Sequence, residues 1–135
     1  SAANLGSSKF QALIKAMILA ATADGHLSSE EVRQLAEVIH TLTDKSFARD
    51  AVIELVRQTA ELLRAQGRTA RLATLAVRLP GTRIREAAVL LAATVAAADG
   101  HIDISENNLL ADLGEAMGLD SNRMVELVTA VQRPS

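Results

Sequence analysis

One short turn is written twice in this chain, and it constrains the fold more than any other feature. Residues 23–31 read Ala-Asp-Gly-His-Leu-Ser-Ser-Glu-Glu, and residues 98–106 read Ala-Asp-Gly-His-Ile-Asp-Ile-Ser-Glu. The offset of 75 also aligns Ala12 with Ala87, Ala21 with Ala96, Leu35 with Leu110 and Ala36 with Ala111. Self-similarity at a fixed spacing marks a duplicated structural unit. Before the first turn, Phe10, Leu13, Ile14, Met17, Ile18 and Ala21 recur near a 3.6-residue period; after it, Val32, Leu35, Ala36, Ile39 and Leu42 do the same. Each copy is therefore predicted to be a helical hairpin. Asp-Gly ends its first helix, and Ser28 with Glu31, or Asp103 with Glu106, opens its second as a capping box. Leu27 and Ile102 are expected to plug the hairpins into the core.

The rest of the chain reads as helix as well. Asp44 and Ser46 are rival N-caps for a long third helix to about Gln66, and Gly67 breaks it before a fourth over Arg68–Leu79. Pro80-Gly81 is a firm break, Thr82 is expected to cap a fifth helix to Ala98, and a sixth runs to Met117 before Gly118. Ser121 is expected to cap a seventh. No segment alternates with period two, so the fold class is all-α, about seven helices built on two pseudo-repeated hairpins. Residues 1–8 are expected as a flexible end. Residues 9–135 form one domain, with repeats over approximately 9–45 and 84–120. With no Trp or Tyr and two Phe, the core must be aliphatic, and Ala-lined helix contacts are the natural packing. Ala16, Ala20, Ala92 and Ala96 are candidates for a contact between the first and fifth helices, with the two turns related by an approximate twofold.

Composition excludes several functions. The chain has no Cys, hence no disulfide, thiol nucleophile or thiolate metal site. There is no Gly-rich phosphate loop, nucleophile elbow or His-Glu-x-x-His, and no catalytic constellation is found, so the expectation is a protein that is not an enzyme, and the sequence identifies no small-molecule substrate. No apolar run reaches membrane-spanning length and no secretory signal pattern is present. A cytoplasmic protein, or one peripheral to the inner membrane, is expected.

Charge is unevenly placed. Residues 45–90 hold nine cations against four anions, and the remainder five against twelve. Arg64, Arg68, Arg71 and Arg78 follow helical spacing, and read either as a solvated face or as a docking surface for an acidic protein or anionic membrane headgroups. Nucleic acid is not the expected partner, since stacking aromatics and strong net positive charge are missing. His40, alone at the end of the second helix, is expected to be a solvated cap.

The paired turns admit two readings. As EF-hand loops they would place Asp24-Gly25-His26-Leu27 and Glu31, and Asp99-Gly100-His101-Ile102 and Glu106, at loop positions five to eight and twelve. The early oxygen positions hold Ala20, Thr22, Val95 and Ala97, which rules against a standard calcium loop. As caps, the Asp, Ser and Glu residues all have helix-terminal work. Capping leaves His26 and His101 unexplained. Asp24, His26, Glu31, Asp99, His101 and Glu106 therefore form the candidate metal set, for calcium or zinc, if the hairpins pack together.

Helix, Ala-Asp-Gly, aliphatic, cap, Glu, helix, duplicated in an all-α chain, resembles the tellurite-resistance TerB family and its TerB-like relatives. The resemblance is carried by Ala20–Glu31 with Leu35-Ala36, by Val95–Glu106 with Leu110-Ala111, and by the exit Met117-Gly118-Leu119-Asp120. It implies a compact seven-helix domain with acidic residues near the paired turns and a separate basic surface. It also implies a non-catalytic module in a stress-response or membrane-associated assembly, with a proposed link to metals. Asp24, Glu31, Asp99 and Glu106 match the family's acidic positions; the two His do not belong to its general pattern.

Overall fold

A computed structural model describes residues 2–22, 28–42, 48–98 and 102–132, with side chains from residue 11 onward and that of residue 42 excluded. Among the described residues seven helices follow one another: α1 (Ala2–Ala21), α2 (Ser29–Leu42), α3 (Arg49–Gln66), α4 (Arg68–Arg78), α5 (Thr82–Ala96), α6 (Ile104–Ala116) and α7 (Ser121–Gln132). No strand occurs among the described residues. The all-α reading of the sequence holds.

α1 is the spine, because it is apolar around most of its circumference. Ala12, Ala16, Leu19 and Ala20 face one core cluster, shared with Leu72 and Leu75 of α4, Ala88, Val89, Ala92, Ala93 and Ala96 of α5, Leu109, Leu110 and Leu113 of α6 and Leu127 of α7. Ile14, Met17 and Ile18 face a second cluster with Leu35, Ala36 and Ile39 of α2 and Val52 and Val56 of α3. A helix apolar on both sides is buried rather than half-exposed. α1 and α5 make the most extensive helix–helix contact. Ala16, Ala20, Ala92 and Ala96 are all fully buried in the shared cluster, as their spacing predicted. The twofold relation of the Asp-Gly turns falls on residues outside those described.

Several boundaries differ from the sequence reading, each for a local reason. α1 begins at Ala2 rather than Lys9; the Ala2-Ala3 and Leu5 residues are good helix formers. α3 begins at Arg49, after an extended Ala48 with no side-chain cap, so neither Asp44 nor Ser46 is its N-cap. Arg49 instead reaches back to α2, its Nη2 donating to Oε1 of Glu37 at 2.9 Å. Thr82 is the first residue of α5, and Gly81, at φ 97°, is the N-cap. The turn after Pro80 needs a left-handed residue there, which glycine adopts without steric cost. Ser121 likewise lies inside α7, whose first turn closes from the Met124 N–H to the Asp120 carbonyl at 2.9 Å.

Other terminators are as read. Gly67, at φ 84°, separates α3 from α4. α6 closes with the Gly118 N–H on the Glu115 carbonyl and the Leu119 N–H on the Gly114 carbonyl, a Schellman ending that uses the left-handed Gly118. Thr22 ends α1 by turning its hydroxyl back onto the Ile18 and Leu19 carbonyls at 3.0 and 3.2 Å. His40 is buried at 8% exposure, not solvated. Its place next to Ile39, on the face of α2 that packs into the second cluster, accounts for the difference.

Candidate functional site

The second helix of each repeat opens in the same way. The Glu31 N–H donates to Ser28 Oγ at 3.1 Å, and the Ser28 N–H donates to Glu31 Oε1 at 2.9 Å. In the second copy the Glu106 N–H donates to Asp103 Oδ1 at 2.8 Å, and the Asp103 N–H donates to Glu106 Oε1 at 3.1 Å. These are reciprocal capping boxes, and each satisfies two donors that a helix start leaves without partners. Ile102 is partly buried against the first core cluster, as expected of the plug. Of the six candidate metal residues, Glu31 and Glu106 thus serve as caps. Asp24, His26, Asp99 and His101, like Leu27, lie outside the described residues. Among the described residues no three His, Asp or Glu side chains gather in a group that could hold a metal ion.

The four arginines of the basic middle have four different environments. Arg64, at the end of α3, is exposed, with a loose contact of 3.9 Å to Glu61. Arg68 is half-buried and pairs with Asp112 of α6, Nη1 to Oδ2 at 2.8 Å, which ties α4 to α6. Arg71 is buried at 8% exposure, and its Nη1 donates to Gln66 Oε1 at 3.1 Å. Arg78 is exposed at the end of α4. The helical spacing therefore does not give one continuous exposed stripe, because α4 turns Arg71 inward.

A fifth arginine has a structural role that the sequence reading missed. Arg85 of α5 is partly buried and donates from three nitrogens to three backbone carbonyls: Nε to Leu79 at 2.7 Å, Nη2 to Ala76 at 2.7 Å and Nη1 to Met117 at 3.0 Å. These carbonyls lie at the C-terminal ends of α4 and α6. A helix C-terminus carries unpaired carbonyls and partial negative charge, so a guanidinium fork satisfies both. The only signal in the sequence was a cation three residues inside a helix that follows Pro-Gly.

At the α4–α5 corner, Val77 is 82% exposed. Arg78, Pro80, Gly81, Thr82 and Arg83 around it are exposed too. A groove of about 550 Å³ runs between α6 and α7, lined by Leu110, Leu119, Met124 and Val128 among others. A smaller polar hollow of about 340 Å³ lies between α2 and α3, with Arg33, Asp50, Glu54 and Arg57 on its walls. Neither holds any of the candidate metal or arginine residues. No described helix is long and apolar enough to cross a membrane.

Seven helices among the described residues, with the apolar α1 at the core and a capping box at the start of α2 and of α6, make up an all-helical domain of the TerB kind. The family model "Tellurite resistance protein TerB" matches residues 10–128, and the chain belongs to that family. No curated protein and no solved structure matches the chain.

Proposed function

We propose that this TerB-family domain is a non-catalytic module that docks an acidic protein partner in a bacterial stress-response or membrane-associated assembly. The observation that carries this reading is the α4–α5 corner. There an exposed Val77 stands among Arg78 and Arg83, and neither arginine has an ion pair among the described residues. Exposed cations around an accessible apolar residue suit an acidic surface, with charge setting the approach and the apolar contact adding dehydration energy. Arg64 is a further exposed cation, at the end of α3. Arg68 and Arg71 are engaged by Asp112 and Gln66 and do not contribute exposed charge to the corner.

The double reversal Arg64→Glu/Arg78→Glu tests this. Both side chains are exposed, so folding should be unaffected. Binding to an acidic polypeptide should be lost. Retained binding sends the reading back to a solvated face, and binding to anionic vesicles instead of polypeptide assigns the corner to a membrane surface.

The alternative is a divalent-metal protein using Asp24, His26, Glu31, Asp99, His101 and Glu106. The feature in its favour is the repeated histidine of the two turns, His26 and His101, which capping does not need. A ligand that binds only the folded state raises its stability. Unfolding temperatures with calcium, with zinc and with chelator therefore decide it: a saturable rise supports the metal reading, and identical curves reject it.

A further inference from the structure

The groove between α6 and α7 combines an apolar lining with an acid that nothing around it answers. Buried Leu110 and half-buried Leu119, Met124 and Val128 line it. Val125, on the same lining, is 65% exposed, a large apolar side chain left in water beside an open space of about 550 Å³. Glu115 also lines the groove and is exposed. It stands in the last turn of α6, which holds no basic residue. A helix C-terminus carries partial negative charge, so a carboxylate there is unfavourable without a cation. Arg85 takes the Met117 carbonyl at that end, yet among the described residues no cation pairs with Glu115. Exposed Asp120, just past the end of α6, adds a second negative charge. An occupant of this groove therefore needs an apolar residue flanked by cations.

The same chain presents that combination at its α4–α5 corner, where Val77 is 82% exposed and Arg78 and Arg83 stand beside it without ion pairs among the described residues. We propose that the α6–α7 groove receives the α4–α5 corner of a second copy of this chain, with Val77 entering the apolar lining and Arg78 and Arg83 facing Glu115 and Asp120. Corner and groove lie at one end of the molecule. The Arg85 guanidinium holds the Ala76 carbonyl, next to Val77, at 2.7 Å and the Met117 carbonyl, two residues before Leu119, at 3.0 Å. Knob and socket side by side on one chain are what a twofold pair requires, since each corner then meets the other copy's groove. Two such small contacts make a weak, concentration-dependent dimer. The inference rests on the docking reading of the corner and names its acidic partner.

Sedimentation velocity of the full chain over about 1–500 μM, at about 0.02 M ionic strength, tests this under conditions where exposed charges are little screened. The average mass should rise with concentration and level off at two copies. Arg78→Glu/Arg83→Glu and Glu115→Arg should each stay monomeric alone. Folding should be unaffected, since all three side chains are exposed. An equal mixture of the two variants should associate again. The acidified corner of one then faces the arginine in the groove of the other, and the remaining native corner faces the remaining native groove. A chain that stays monomeric throughout, a mass that grows past two copies, or a mixture that does not associate overturns the proposal. Polyglutamate separates this failure from that of the docking reading. A monomeric chain that still binds polyglutamate keeps the docking reading and loses the second copy as its partner; a chain that does neither loses both. A monomeric chain whose groove takes up a cationic amphipathic peptide assigns the groove to a different protein, which also overturns the proposal.

Discussion

Arg85→Met is the substitution expected to cost this fold most for its size. The side chain holds three carbonyls, at 2.7, 2.7 and 3.0 Å, from the ends of α4 and α6. A hydrogen bond to a charged group contributes roughly 1.5–3 kcal/mol, and leaving its partner unsatisfied costs about as much. The three bonds share one guanidinium and are partly solvated, so they do not add in full. A cation at a helix C-terminus contributes a further 0.3–1 kcal/mol or so. Together these give a loss of about 3–5 kcal/mol, a large part of the roughly 5–15 kcal/mol that holds a domain folded. Methionine keeps the apolar stem packed, which isolates the loss of the donors. Urea denaturation reads the effect as a lower midpoint at unchanged slope. Arg85→Lys should recover less than half, because a single ammonium cannot reach three carbonyls at once. A loss under about 1 kcal/mol for Arg85→Met, or full recovery by lysine, would refute the reasoning, since both lie well below the range that three charged bonds imply.

Three further outcomes are expected. A Cβ on Gly114 would stand 2.5–2.8 Å from the Met124 side chain; Gly114→Ala should lose about 1–2 kcal/mol in the wild type, yet gain up to about 1 kcal/mol in a Met124→Ala background, where helix propensity acts without the clash. A double-mutant cycle measured by denaturation checks that change of sign. Ser28→Ala and Asp103→Ala should each cost about 0.5–2 kcal/mol, since each removes the acceptor of a capping box; differential scanning calorimetry showing no change in either would remove the capping role. Glu86 has its carboxyl held below the usual range, chiefly by the hydrogen bond from Arg123, against an opposing effect of burial, with the Arg123 charge adding to the lowering. A carboxylate with a depressed folded value stabilises above its unfolded value, and that contribution fades as pH falls through the folded one. Glu86→Gln should therefore be modestly destabilising at neutral pH and indistinguishable from the wild type at low pH, and a difference that grows on acidification would contradict the pairing.

The helix pattern was legible because every element depends on local chemistry. Gly67, Gly118 and the Ser28/Glu31 and Asp103/Glu106 pairs fix ends within a few residues of themselves, and the Ala spacing of α1 and α5 announced their contact. What could not be read was direction around the helix axis. Arg64, Arg68, Arg71 and Arg78 share a helical period, but Gly67 separates Arg64 from α4, and Arg71 is buried mid-helix while Arg78, two turns further along the same face, stands exposed at the helix end. Likewise Arg85 counts as one more surface cation until the ends of α4 and α6 are brought beside it. His40 reads as solvated because the sequence shows the helix end but not the core of α1 and α3 against that face of α2. Caps at Asp44, Thr82 and Ser121 missed by one or more residues because several polar residues compete at each helix start. Tertiary packing chooses among them.

The docking role is tested most directly by the salt dependence of binding to an acidic polypeptide, with polyglutamate as the probe. Exposed charges are screened over about 10 Å at 0.1 M ionic strength, and over much shorter distances as salt rises. The full chain should bind at about 0.02 M ionic strength and release progressively toward about 0.3 M, while Arg64→Glu/Arg78→Glu should show no binding throughout. Absence of binding at the lowest salt, or binding that neither salt nor the double reversal weakens, would contradict an electropositive docking surface.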